Sequence, residues 1–132
     1  MQNTCQDYID EECIDVWYQN LSESVPAMAF KDEKVILIYD KLSETEKKWA
    51  ILHEIGHFAT DSFYTLKTPI QNWAWLEGKV KRWVIFNFVP VENIKPLLAA
   101  GYRTCWELAE ELDVPEKIIH DAIDLYSRRG LL

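Results

Sequence analysis

Short apolar blocks separated by charged residues dominate the first third of the chain, and they predict a small sheet. The segments PAMAF (26–30) and KVILIY (34–39) are separated by the charged residues KDE, which predicts a β-hairpin. Before them, apolar residues at positions 8, 9, 14, 16 and 17 lie among acidic residues, which predicts a helix within roughly the first twenty residues. We therefore expect a helix followed by a small antiparallel sheet.

Helical periodicity governs the rest of the chain. Ser43 and Glu46 have the spacing of a capping box, which predicts the start of a helix directly after the hairpin. Pro90 and Gly101 are typical of positions just beyond helix ends, and Pro115 is typical of a helix start. The expected helices cover residues 44–60, 71–87, 92–99, 106–112 and 115–129.

These elements together predict an α+β fold. A small antiparallel sheet should pack against the first long helix, and the second long helix should lie beside it. We expect residues 1–101 to form a core and residues 102–132 to form a C-terminal helical segment that packs on it.

Composition narrows the class of protein. The chain has 132 residues, of which 27% are charged and 48% hydrophobic, a balance typical of a globular domain. Three cysteines without CxxC spacing indicate reduced thiols, so we expect a cytoplasmic protein with no signal peptide and no membrane span. The net charge of -8 argues against direct binding of nucleic acid.

The sequence HEIGH, residues 53–57, is the strongest chemical motif. Residues four apart lie on one face of a helix, so His53 and His57 could hold one metal ion between them. Glu54 would project beside them, close enough to take a proton from a water on that metal. The residue types and their spacing therefore predict a metal site with its own general base.

Such a site requires a third protein ligand, and Glu77 is the candidate. It belongs to a stripe of otherwise apolar residues on the second long helix, where a lone carboxylate is costly unless it is paired or binds a metal. The alternative is a structural ion pair with Lys81, one turn later. Pattern alone leaves both open.

The motif and the second long helix together resemble the ImmA/IrrE family of metallo-endopeptidases. HEIGH is followed by EGKVKRWVIFNFVP, and the similarity extends from about Pro26 to the C-terminus. Three positions depart from the family pattern: Val80 and Val84 replace alanines, and Lys81 stands where an acidic or polar residue is common. The residues of the second helix that fall at the positions of the family pattern are Glu77, Val80 (at the place of a small residue), Trp83, Phe88, Val89 and Pro90.

The resemblance implies a zincin-like core in which His53, His57 and Glu77 bind one zinc ion per chain and Glu54 is the catalytic base. It also implies a protein substrate, because members of the family cleave DNA-binding repressors of the helix-turn-helix class. The expected function is therefore a zinc endopeptidase that acts on one intracellular regulator of a mobile element or a stress response.

Several alternatives remain open from the sequence. Tyr39 and Tyr64 are both candidates for stabilising the oxyanion of a peptidase reaction. The chain could instead be a non-catalytic module that sequesters a regulator, because its many aromatic residues suit an interface. DNA binding by the helical tail is disfavoured, since from Thr104 onward there are seven acidic and only three basic residues.

Overall fold

The computed structural model describes residues 5–132 and has an α+β architecture, as the sequence predicts. Six helices and one three-stranded sheet occur in this range. No helix within it is both long and apolar enough to cross a membrane. In chain order the elements are α1 (Cys5–Glu12), β1 (Asp15–Gln19), β2 (Ala27–Phe30), β3 (Val35–Tyr39), α2 (Glu44–Ala59), α3 (Ile70–Phe88), α4 (Val91–Ala99), α5 (Cys105–Leu112) and α6 (Glu116–Arg128).

The sheet is mixed, so the prediction of a purely antiparallel sheet is wrong. Its strand order is β1-β3-β2, in which β2 and β3 form the predicted antiparallel pair. The additional strand β1 pairs in parallel with the other side of β3, with Asp15 opposite Val35 and Gln19 opposite Tyr39. The central strand is therefore β3.

The prediction of one N-terminal helix is also wrong beyond Glu12. The chain turns at Cys13, whose φ of 55° lies in the left-handed region, and then continues as β1. Most of β1 is exposed, so its apolar residues do not show the alternation expected of a half-buried strand. The run Val16, Trp17 and Tyr18 is nevertheless rich in β-branched and aromatic residues, and this composition favours a strand.

The core of the N-terminal part lies between the sheet and α2. Ile36 and Ile38 are fully buried on one face of β3, and they pack with Ile51 and Ile55 of α2. Ile36 and Ile38 are two residues apart, which puts them on one face of a strand, and Ile51 and Ile55 are four apart, which puts them on one face of a helix. This packing fixes α2, and with it the HEIGH motif, against the sheet.

The start of α2 has the predicted capping box. The Glu46 N–H donates to Ser43 Oγ, and the Ser43 N–H donates to Glu46 Oε1, each over 3.1 Å. These two bonds satisfy donors that a helix start would otherwise leave unpaired. Because the helix start is fixed, the position of each later residue around α2 is fixed as well.

Contacts group the chain into two compact units, Met1–Trp83 and Val84–Leu132. In the second unit, α5 packs against α4 and α6. The Tyr126 hydroxyl is buried there and donates to the Val89 carbonyl over 2.8 Å, while the Glu107 N–H donates to Thr104 Oγ1 at the start of α5. The predicted division after residue 101 stays a prediction.

We expect Ile38→Ala to lower the free energy of unfolding by about 2–5 kcal/mol, because it leaves a cavity in the core beneath the sheet. Leu37→Ala is the matched control, since Leu37 is the preceding residue of β3 and is only half-buried. Urea unfolding of both variants measures the difference. Equal losses would show that the core does not lie on the Ile38 side of the sheet.

Candidate metal site

The structure brings the three predicted ligands together. His53 and His57 lie one turn apart on α2, and Glu77 comes from α3. One ligand atom from each residue can be chosen such that all three lie within 4.8 Å of one another. The three side chains can therefore hold a metal ion between two helices of the N-terminal unit.

Contacts of Glu77 explain why a carboxylate is tolerated on this helix. Glu77 Oε2 lies 2.9 Å from His53 Nε2, and Glu77 Oε1 lies 3.2 Å from His57 Nε2. Hydrogen bonds with these two imidazoles hold the pKa of Glu77 well below its usual value, so the side chain is a carboxylate. Lys81, the alternative partner, is exposed. Two imidazoles and one carboxylate fit the ligand chemistry of zinc.

A buried carbonyl orients His57. His57 Nδ1 lies 2.6 Å from the backbone carbonyl oxygen of Ser62, which accepts a hydrogen bond and so fixes the proton on Nδ1. The Ser62 N–H in turn donates to the His57 carbonyl, in a turn where Asp61 has a φ of 48°. This turn leaves Nε2 of His57 directed toward Glu77. Outer partners of this kind support metal ligands in many proteins.

Glu54 lies next to His53 on α2, but it is not one of the three side chains whose ligand atoms converge. Its side chain is buried, with the whole residue 8% exposed, and burial raises its pKa. The neighbouring imidazoles of His53 and His57 oppose this rise, whereas Glu77 adds to it. A carboxylate with a raised pKa is a better proton acceptor near neutral pH.

These residues open into a cleft with a volume of about 510 Å³. One wall is formed by residues 24–29, which include most of β2. Within the described residues β2 pairs with β3 alone, so its other edge carries backbone groups free to bind an extended peptide. The lining residues outside this wall are Ala50, His53, Glu54, His57, Phe63, Tyr64 and Glu77.

The two candidate tyrosines have different positions. Tyr64 lines the cleft, and its hydroxyl donates to Glu77 Oε1 over 2.7 Å. Burial and this hydrogen bond raise the pKa of Tyr64 to about 12, so the hydroxyl keeps its proton at neutral pH. Tyr39 ends β3 and is not among the residues that line the cleft.

Affinity for a divalent metal ion, measured with zinc, is expected to fall as the pH decreases, and the loss should begin above pH 6.5. Burial alone would lower the pKa of His57, but its hydrogen bonds with Glu77 and the Ser62 carbonyl raise it above the model-peptide value of 6.5. A proton and a metal ion compete for the same nitrogen, so acid favours the proton. Competition titrations at about pH 6, 7 and 8 measure the trend. Equal affinity at all three would contradict it.

Comparisons with known proteins assign no family. Neither a scan against protein-family models nor a search of curated proteins finds a match for this chain. The residues and distances of the site are therefore the basis for any function assigned to the chain.

Proposed function

We propose that the chain is a zinc-dependent endopeptidase. The observation that carries this proposal is the position of Glu54, a buried carboxylate between the two histidines in sequence and in the same cleft as His53, His57 and Glu77. A structural zinc site is usually closed by four protein ligands, whereas a catalytic site has three and keeps one position open. Among the described residues, only His53, His57 and Glu77 converge here, and Glu54 lines the same cleft without joining them.

In the proposed hydrolysis, the metal ion and the residues of the chain have different roles. When bound, zinc acts as a Lewis acid that allows water to attack a carbonyl near neutral pH. Glu54 accepts the proton of that water, and it then donates this proton to the nitrogen of the leaving amine. His53, His57 and Glu77 would hold the metal ion in the cleft that Glu54 also lines. The Ser62 carbonyl keeps His57 in one orientation.

The cleft favours a peptide in extended conformation as the substrate. The outer edge of β2, which pairs with no strand among residues 5–132, can form backbone hydrogen bonds with such a peptide, and this is a general mode of peptide recognition. Val25, Ala27 and Phe63 supply apolar surface for its side chains. A flexible or locally unfolded segment of a protein meets these requirements better than a folded surface does.

The resemblance to ImmA/IrrE peptidases supports a helix-turn-helix repressor as the protein that is cleaved. The net charge of -8 is consistent with this choice, because DNA-binding proteins present a basic face that an acidic partner attracts. The substrate class rests on the resemblance, whereas the peptidase chemistry rests on the site.

The proposal is tested with purified protein loaded with zinc and a helix-turn-helix repressor encoded beside its gene. We expect defined fragments of the repressor, and we expect a chelator to prevent their formation. An intact repressor after long incubation with the zinc-loaded protein would contradict the proposed substrate. If an unfolded substrate such as denatured casein also remained uncleaved, the peptidase activity itself would be contradicted.

A binding module that sequesters a regulator is the second candidate. Exposed apolar side chains on the sheet favour it, since Trp17 is 53% and Met28 is 39% exposed. In the register of the sheet both residues lie opposite Leu37, so they belong to one face. This candidate predicts that partner binding and the cellular effect persist when Glu54 is replaced.

A further inference from the structure

We propose that Tyr64 is a positioning residue of the metal site, which holds one oxygen of the Glu77 carboxylate and leaves the other for the metal. The inference rests on the metal site of the proposed function. It also gives Tyr64 a role different from oxyanion stabilisation, for which the sequence makes it a candidate.

The first support is the hydrogen bond itself. Tyr64 donates to Glu77 Oε1 over 2.7 Å, and a hydroxyl bound to a carboxylate at such a distance forms a strong, charge-assisted bond. A phenol has one proton to donate, so the hydroxyl is committed to Glu77 in this arrangement. Oε2 of the same carboxylate lies 2.9 Å from His53 Nε2, whereas Oε1 lies 3.2 Å from His57 Nε2, so Oε2 is the oxygen nearer to a candidate ligand nitrogen and has no bond to Tyr64.

The second support is the way in which the ring of Tyr64 is held. It stacks on Trp73 with ring centroids 4.9 Å apart and an angle of 27° between the planes. Trp73 lies one turn before Glu77 on α3, so one helix presents both the stacking surface and the carboxylate. The centroid of the His57 ring lies 6.1 Å from that of the Tyr64 ring, with an angle of 64° between the planes.

Trp73 stacks on Tyr64, although the indole nitrogen of Trp73 forms no hydrogen bond with any residue that the structure describes. Its Nε1 is buried and, among the buried side-chain nitrogen and oxygen atoms of residues 5–132, it lacks a hydrogen-bond partner. Leaving a buried donor unpaired is unfavourable, so hydrogen bonding does not explain an indole at this position. The stack on Tyr64 gives the indole ring a structural role at this position.

The consequence for metal binding follows from the freedom of a glutamate side chain. The contacts of Glu77 with the His53 and His57 nitrogens are lost when those nitrogens bind a metal. Without Tyr64, the carboxylate could then rotate and approach the metal through one oxygen or through both. The hydrogen bond from Tyr64 removes this freedom before the metal arrives, which lowers the entropic cost of binding. Loss of such an outer partner typically weakens metal binding by about 10–100-fold.

The test compares Tyr64→Phe with Tyr39→Phe. Each variant removes one hydroxyl and keeps the ring, but only Tyr64 touches the site. We expect Tyr64→Phe to bind zinc about 10–100-fold more weakly in competition with a chelating indicator, and Tyr39→Phe to match wild type. In cobalt-loaded protein, the visible absorption band should change in Tyr64→Phe alone. A merely structural role would leave the band unchanged.

The outcomes separate the inference from the proposed function. Wild-type protein that binds no zinc would overturn both. Zinc binding by Tyr64→Phe as tight as that of wild type, with the same cobalt band, would overturn the positioning role and leave the metal site in place. Equal weakening in both variants would also overturn it, because the effect would then not depend on Glu77.

Discussion

Glu54→Gln is expected to abolish peptide hydrolysis, with a loss of about 10²–10⁴-fold, while it leaves the fold and zinc binding unchanged. Glutamine has nearly the size of glutamate but cannot accept the proton of the attacking water. Glu54 is 8% exposed and is not one of the three grouped ligands, so the substitution acts on proton transfer alone. Rates of substrate cleavage and a zinc titration measure the two effects separately.

The matched control is Glu44→Gln. Glu44 lies in the first turn of the same helix, and its side chain is 94% exposed. The Glu44→Gln variant should cleave substrate at the wild-type rate. If Glu54→Gln cleaved substrate at the wild-type rate, or left the cellular effect of the protein intact, the catalytic role would be contradicted and the binding module would be favoured.

The second large effect is expected at Glu77, the third candidate ligand. Glu77→Ala should weaken zinc binding by more than about 100-fold, because loss even of an outer partner of a ligand costs about 10–100-fold. It removes the carboxylate that both histidines contact. Isothermal titration or competition with a chelating indicator measures the change.

Lys81→Ala distinguishes this interpretation from the structural ion pair that the sequence leaves open. Lys81 is exposed and lies one turn after Glu77 on α3. The Lys81→Ala variant should therefore bind zinc as tightly as wild type. If Glu77→Ala bound zinc as tightly as wild type, Glu77 would not be a ligand.

The helix with the candidate ligands His53 and His57 was predictable because its signals are local. Ser43 and Glu46 fix the start of α2 through bonds only three residues apart, and the i, i+4 spacing puts His53 and His57 on one face. Both ends of the predicted helix lie within one residue of the observed ones. A different signal predicts Glu77, namely a charged residue within an apolar stripe of the second long helix.

Non-local features were not predictable in the same way. The strand β1 depends on parallel pairing with β3, twenty residues later in the register, and its own apolar residues also permit a helix. The support of His57 by Ser62 uses a backbone carbonyl, which every residue has, so no side chain identifies it. The bond from Tyr64 to Glu77 depends on how the segment between α2 and α3 returns to the site, and pattern alone does not determine this.

The metal content of protein purified without a chelator tests the three-ligand site most directly. Wild type, His53→Ala and His57→Ala should be measured side by side by elemental analysis, before and after incubation with zinc. We predict about one zinc ion per chain in wild type and little in either variant. Wild-type protein without zinc after incubation, or variants that retain as much zinc as wild type, would contradict a site formed by His53, His57 and Glu77.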